Sequence, residues 1–260
     1  MNNNLYEVIK REAGEIKRIL FRPNIPENVI WFLTERCNLK CGHCFVSHDG
    51  RRFRDELGFD QIKQILDTSE GLLKRICFTG GEPLIFKEFD KVFLYTSSLP
   101  QMQYIRISTN GMCNEKLFNI LKDCKNKQVQ CHIQSSIDGP EEIHNAIRGN
   151  KSAYKELIKL LDMFKDFKSK TDLSLDMSLT MTISRRNKNA VQETIELVKF
   201  YDIPLAINFT RSSSNSHLGK DEISDFIQEN DDNKLSLEEI KSVVAEWQRT
   251  AAKYCTFFIG

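Results

Sequence analysis

No stretch of this chain approaches the roughly 18 consecutive apolar residues that a membrane-crossing helix requires. The opening residues, MNNNLYEVIK, lack the basic-then-apolar order of a secretory signal. Charge of one sign is not in excess either: 37 Lys and Arg against 36 Asp and Glu leave a net charge of +1. That balance excludes the broad electrostatic footprint of a nucleic-acid binder. Internal repeats and low-complexity segments are also missing. The expectation is a cytoplasmic globular protein with neither a membrane nor a nucleic-acid partner.

What is present fits that class. Hydrophobic residues make up 40% and charged residues 28% of 260 positions, enough chain to bury a large core. Leu5, Val8, Ile9, Ala13, Ile16, Ile19 and Leu20 form a helical stripe, ended by the prolines of FRPNIPEN. Residues 1–27 are therefore expected to be an N-terminal helical extension. A docked helix is the simpler reading of its stripe, a membrane-surface helix the alternative.

From residue 28 onward, strand-like and helix-like segments alternate. The strand candidates are 29–34, 75–80, 103–109, 129–137, 173–183 and 205–210. Helix candidates fall near 59–69, 87–97, 114–123, 151–167, 189–201 and 236–253. The last opens on Ser236 and Glu239, spaced for a capping box. Regular alternation of this kind implies a parallel sheet with helical crossovers. Residues 211–235 make a long polar loop after the sixth strand, read equally as a substrate lid or a solvated insertion.

Four of the six strands are apolar on one side only. Leu175, Met177, Leu179, Met181 and Ile183 alternate with Asp176, Ser178, Thr180 and Thr182, and strand 129–137 sets Cys131 and Ile133 against His132, Gln134, Ser136 and Asp138. Parallel strands covered on both faces would be apolar throughout. The polar sides are expected to line an open lumen, with Cys77, His132 and Gln134 facing it and Cys131 in the packed face. An antiparallel sheet with a solvated face would alternate in the same way, but the helices between strands argue against it.

Of eight cysteines, three fall within eight residues, as C-x3-C-x2-C: Cys37, Cys41 and Cys44. In a cytoplasmic chain clustered cysteines suggest metal ligands, and scattered ones small buried residues. Three chemistries fit the cluster. His43 or His48 would complete a Cys3His zinc site. Cys41-Gly-His-Cys44 has the spacing of a thiol–disulfide motif, normally placed at a helix start. An iron–sulfur cluster held by three thiolates would leave one iron open for a ligand.

CNLKCGHC resembles the cluster motif of radical S-adenosylmethionine (SAM) enzymes, and FTGGEP, Phe78–Pro83, resembles their GGEP segment one βα unit later. STNG, Ser108–Gly111, and SIDGPEEIHNAIRG, Ser136–Gly149, resemble further segments of the SPASM and twitch groups of that superfamily. The resemblance runs from about residue 28 to 210. It implies a partial (β/α)6 TIM-like barrel over 28–255, with a [4Fe–4S] cluster on Cys37, Cys41 and Cys44 and SAM bound to its open iron. Gly80, Gly81, Glu82 and Pro83 would meet the methionine end, Glu82 offering an anion to its ammonium. Ser136 and Arg148 would contact the ribose or carboxylate, with Ser108, Asn110 and Asn208 nearby.

The implied activity is reductive cleavage of SAM to a 5′-deoxyadenosyl radical that takes hydrogen from a peptide or small molecule. It implies an external electron donor such as flavodoxin or ferredoxin. A non-catalytic SAM-binding iron–sulfur subunit is the alternative. The auxiliary-cluster domain of SPASM and twitch enzymes is expected to be absent or truncated, because Cys255 is the one cysteine after the sixth expected strand and cannot alone hold such a cluster.

Overall fold

A computed structural model describes residues 26–44, 56–69, 71–210, 234–251 and 255–257. The expected helical extension and the polar loop fall largely outside the described residues, in 1–25 and 211–233.

The strands are β1 (Asn28–Thr34), β2 (Arg75–Gly80), β3 (Tyr104–Thr109), β4 (Gln130–Ser136), β5 (Leu175–Ile183), β6 (Leu205–Phe209) and β7 (Cys255–Phe257). Between them run α1 (Phe59–Asp67), α2 (Phe89–Ser98), α3 (Asn114–Lys122), α4 (Glu141–Arg148), α5 (Ala153–Lys170), α6 (Val191–Tyr201) and α7 (Leu237–Ala251). All the strands pair in parallel, in the order of the sequence, with β1 joined to β2 and β7 to β6 at the two edges. The result is an open α/β partial barrel.

The alternation read from the sequence sorts the two faces. Ile105 and Ile107, Cys131 and Ile133, and Leu175 through Ile183 at every second position are buried beneath the helices. Helix α5 supplies Ala153, Leu157, Leu160, Leu161 and Phe164, a stripe at helical spacing, to the same core. The opposite face carries the half-buried polar residues. His132 Nε2 lies 2.8 Å from Ser178 Oγ, Ser108 Oγ donates to Gln134 Oε1 at 3.2 Å, and Gln134 Nε2 donates to Thr180 Oγ1 at 2.7 Å. Burial lowers the His132 pKa, which keeps that ring neutral at pH 7. Cys77 joins this face, accepting from Arg106 Nε at 3.2 Å.

Three features differ from the sequence expectation. The sheet has a seventh strand: Cys255 lies within it, paired with Leu205, where the sequence reading has no strand after the sixth. Helix α4 occupies part of the SIDG segment, after Pro140 and before Gly149 at φ +63°. Asp138 does not share the polar face of β4, because that strand ends at Ser136 and the chain turns at Gly139, φ +144°. The capping box of α7 forms, with Ser236 N–H donating to Glu239 Oε2 at 2.7 Å and Glu239 N–H to Ser236 Oγ at 3.2 Å. Among the described residues no helix is long and apolar enough to cross a membrane.

Candidate cluster and cofactor site

The three clustered cysteines lie on the loop that leaves the C-terminal end of β1. Neighbouring strand ends hold this loop in place. Gly81 N–H donates to Thr34 O at 2.7 Å and Glu82 N–H to Arg36 O at 2.8 Å, so the GGEP turn and the cysteine loop lie backbone against backbone. A Cβ on Gly80 would stand 2.2 Å from Thr34 O, and one on Gly81 2.1 Å from Arg36 O. Both glycines are required by the neighbouring protein backbone itself. We expect Gly81→Ala to cost roughly 1–3 kcal/mol through overpacking, measured by urea denaturation of the metal-free protein.

From the other side, Gly42 N–H donates to Ile147 O at 2.9 Å, at the end of α4. The Gly149 backbone lies so close that a Cβ there would meet Lys40 O at 2.8 Å. Leu39 anchors the middle of the loop in the interior. Residues 41–44 form a turn closed by Cys44 N–H to Cys41 O at 3.1 Å.

The three thiols are half-buried. Cys37 Sγ accepts from Leu39 N–H and from Asn110 Nδ2, each at 3.5 Å. Cys41 Sγ accepts from an Arg148 terminal nitrogen at 3.6 Å. Burial pushes both thiols up in pKa; the donors, and the Arg148 charge at Cys41, oppose it. Donors aimed at sulfur favour the thiolate, the form that binds metal.

Asn110 links this loop to β3. Its side chain donates to Asn38 Oδ1 at 2.7 Å, and its own N–H donates to Glu82 Oε2 at 2.7 Å. Glu82 is sealed from solvent. Its other oxygen accepts from Leu84 N–H at 3.1 Å and Thr109 Oγ1 at 2.9 Å. The expected anion for an ammonium is thus a buried clamp between the ends of β2 and β3. Pro83 is buried in the short 3-10 turn that follows.

Sequence reasoning missed the buried group beneath Cys41. Arg148 Nε stands 2.7 Å from Asp138 Oδ2, with Asp138 fully buried. The two groups form a buried ion pair. His144 Nδ1 accepts from Asp138 N–H at 3.1 Å, and burial lowers this histidine to about 4, so it is neutral at pH 7. Asn187 Nδ2 donates to Asp138 O at 3.0 Å. The sequence signal was the spacing of Asp138, His144 and Arg148 across one turn and one short helix.

Gly80, Gly81, Glu82, Asn110, Arg148, Cys37, Cys41 and Cys44 therefore meet at one end of the strands. Ser108, Ser136 and Asn208 sit apart on the polar face, Ser136 opposite Thr180 and Asn208 opposite Thr182.

The family model described as the Radical SAM superfamily matches residues 31–198. The chain belongs to the radical SAM superfamily. Among curated relatives of this radical SAM chain, the Fe-coproporphyrin III synthase of Methanosarcina barkeri is 27% identical over 68% of this chain and 42% of its own length. The sporulation killing factor maturation protein SkfB of Bacillus subtilis is 28% identical over 63% of this chain and 37% of its own. The chain thus spans less than half the length of either relative. The fold is shared with Streptococcus suis SuiB, solved bound to S-adenosylmethionine: TM-score 0.68 at 15% identity, over 99% of this chain and 56% of that one.

Radical SAM membership implies a [4Fe–4S] cluster and SAM, and the residues present suit them. Among the described residues no three Cys, His, Asp or Glu side chains converge on a single-ion position. A four-iron cluster takes each thiolate at a different corner, so thiols spread along one loop are compatible with it. Polar donors already reach the sulfurs of Cys37 and Cys41.

Proposed function

We propose that this chain is the catalytic barrel of a radical SAM enzyme acting on a peptide or small-molecule substrate. The observation that carries this reading is the three-thiol loop, bonded to the GGEP backbone on one side and to α4 on the other. When bound, the cluster and SAM supply a reducing electron and a 5′-deoxyadenosyl radical that takes a hydrogen atom from substrate. The chain's own residues position these groups. Cys37, Cys41 and Cys44 hold three irons, and the Gly80–Glu82 backbone meets the methionine end. Glu82 acts by fixing Asn110 and Leu84 in place. Ser108, Ser136 and Asn208 contact the rest of SAM from the polar face.

The half-buried row of Ser108, Gln134, Thr180, His132 and Ser178 supports a substrate that enters the lumen and exchanges hydrogen bonds there. SkfB, named as a maturation protein, favours a peptide among the substrate classes. The electron comes from an external donor such as flavodoxin or ferredoxin. Anaerobic reconstitution with iron and sulfide, followed by dithionite and SAM, should yield 5′-deoxyadenosine. Product no higher than in a protein-free control would overturn the reading and leave a SAM-binding subunit without turnover.

A further inference from the structure

Arg148 is a cation that reaches the Cys41 sulfur of the cysteine loop from the interior. It is 7% exposed, with one terminal nitrogen 3.6 Å from Cys41 Sγ and Nε 2.7 Å from Asp138 Oδ2. A guanidinium committed in this way faces the thiolate and a carboxylate, with little surface left for a soluble ligand. Asp138 meets Arg148 as an ion pair, so the carboxylate acts on its surroundings chiefly through charge. The fold fixes the pair twice over. Helix α4 ends at Arg148, and Asp138 is pinned through its backbone by His144 and Asn187.

We propose that Arg148 and Asp138 are positioning residues that set the reduction potential of the cluster, with Arg148 serving the Cys41 thiolate rather than the carboxylate of SAM. This rests on the cluster assignment above and adds to it a role for a buried ion pair. Hydrogen bonds to cluster sulfurs and nearby charge are the protein's main levers on such a potential. Reduction adds negative charge to the cluster. The guanidinium at Cys41 favours the reduced state, and the carboxylate behind it opposes that effect. Two opposed charges, with the cation in contact with the sulfur, give the pair a sign that can be tested.

The test uses anaerobically reconstituted protein, titrated with dithionite and followed by electron paramagnetic resonance without SAM. Asp138→Asn leaves the guanidinium unopposed and should raise the midpoint potential. The double variant Asp138→Asn/Arg148→Met removes both charges together, leaving no buried ion unpaired, and should bring the midpoint below that of wild type. Each shift should be about tenfold in the reduced-to-oxidised ratio at fixed potential, about 59 mV for a one-electron couple. SAM affinity, read by calorimetry on the oxidised cluster, should stay within about threefold in the double variant.

Midpoints unmoved, or moved in the same direction in both variants, would overturn the proposal whatever happens to SAM affinity. A more than tenfold loss of SAM affinity in the double variant would also overturn it, by returning Arg148 to the SAM carboxylate. Wild-type protein that yields no reducible cluster signal would instead overturn the cluster assignment, and this proposal with it.

Discussion

Cys41→Ala should abolish both stable iron binding and 5′-deoxyadenosine formation, while Cys131→Ala should leave both near wild type. The two cysteines differ in position, not in chemistry. Cys41 lies on the loop after β1, with Arg148 donating to its sulfur. Cys131 is 1% exposed on the helix-covered face of β4, aligned with Ile105 and Leu175. A cluster of four irons held by three thiolates has none to spare. Removing one should lower retained iron well below the roughly four per chain of the intact site, and activity should fall by at least about a hundredfold. In Cys131→Ala the loss is a small buried group, on the order of 1–2 kcal/mol of stability. Iron analysis after desalting, with product quantified by chromatography, reads both effects. Equal retention in the two variants would remove the ligand assignment.

The architecture was legible because each strand announces its own faces. In β5 an apolar residue at every second position both identifies a strand and states which side is covered. Parity, however, gives a face and not a depth, and it fails where a strand stops. Asp138 continues the polar alternation of β4 on paper, but the turn at Gly139 sends it into the interior, where Arg148 compensates its charge. Strand parity does not report that pairing; the signal for it is the spacing of Asp138 and Arg148 across the turn and α4. Strand β7 was missed for the opposite reason: three residues are too few for any period to show. The three-cysteine loop and the GGEP turn were legible from residue type and spacing. Their mutual support was not, since the contact that demands Gly80 and Gly81 is the backbone of Thr34 and Arg36, more than forty residues earlier. For the same reason Glu82 reads as an available anion in sequence and is a sealed clamp in three dimensions.

That clamp should govern how the stability of the metal-free protein depends on pH. Burial pushes the Glu82 carboxyl up to about 7, against the pull of the Asn110, Leu84 and Thr109 donors and the charge of Lys116. In the unfolded chain the group titrates near its ordinary value of about 4.3. Between these values the folded state binds the proton more readily than the unfolded state does. The stability contribution is therefore complete below the unfolded value and is lost as pH rises through about 7. The loss is on the order of 3 kcal/mol, from a shift of between two and three units at about 1.4 kcal/mol each. Glu82→Gln should remove this slope, because the amide is neutral throughout. Like the protonated acid, it matches the three donors incompletely, so it should resemble wild type near pH 4.5 and become the more stable of the two by pH 8. Urea denaturation at intervals over that range, taken as wild type minus variant, isolates this group from others such as His144 that titrate in both proteins. A constant difference would mean that the three donors keep Glu82 ionised throughout and that burial does not control it. Asn110, whose N–H depends on Glu82 Oε2 and whose side chain reaches Cys37, carries the consequence to the cysteine loop. An amide nitrogen opposite that N–H would loosen Asn110, so the stabilised variant should also retain iron less firmly than wild type.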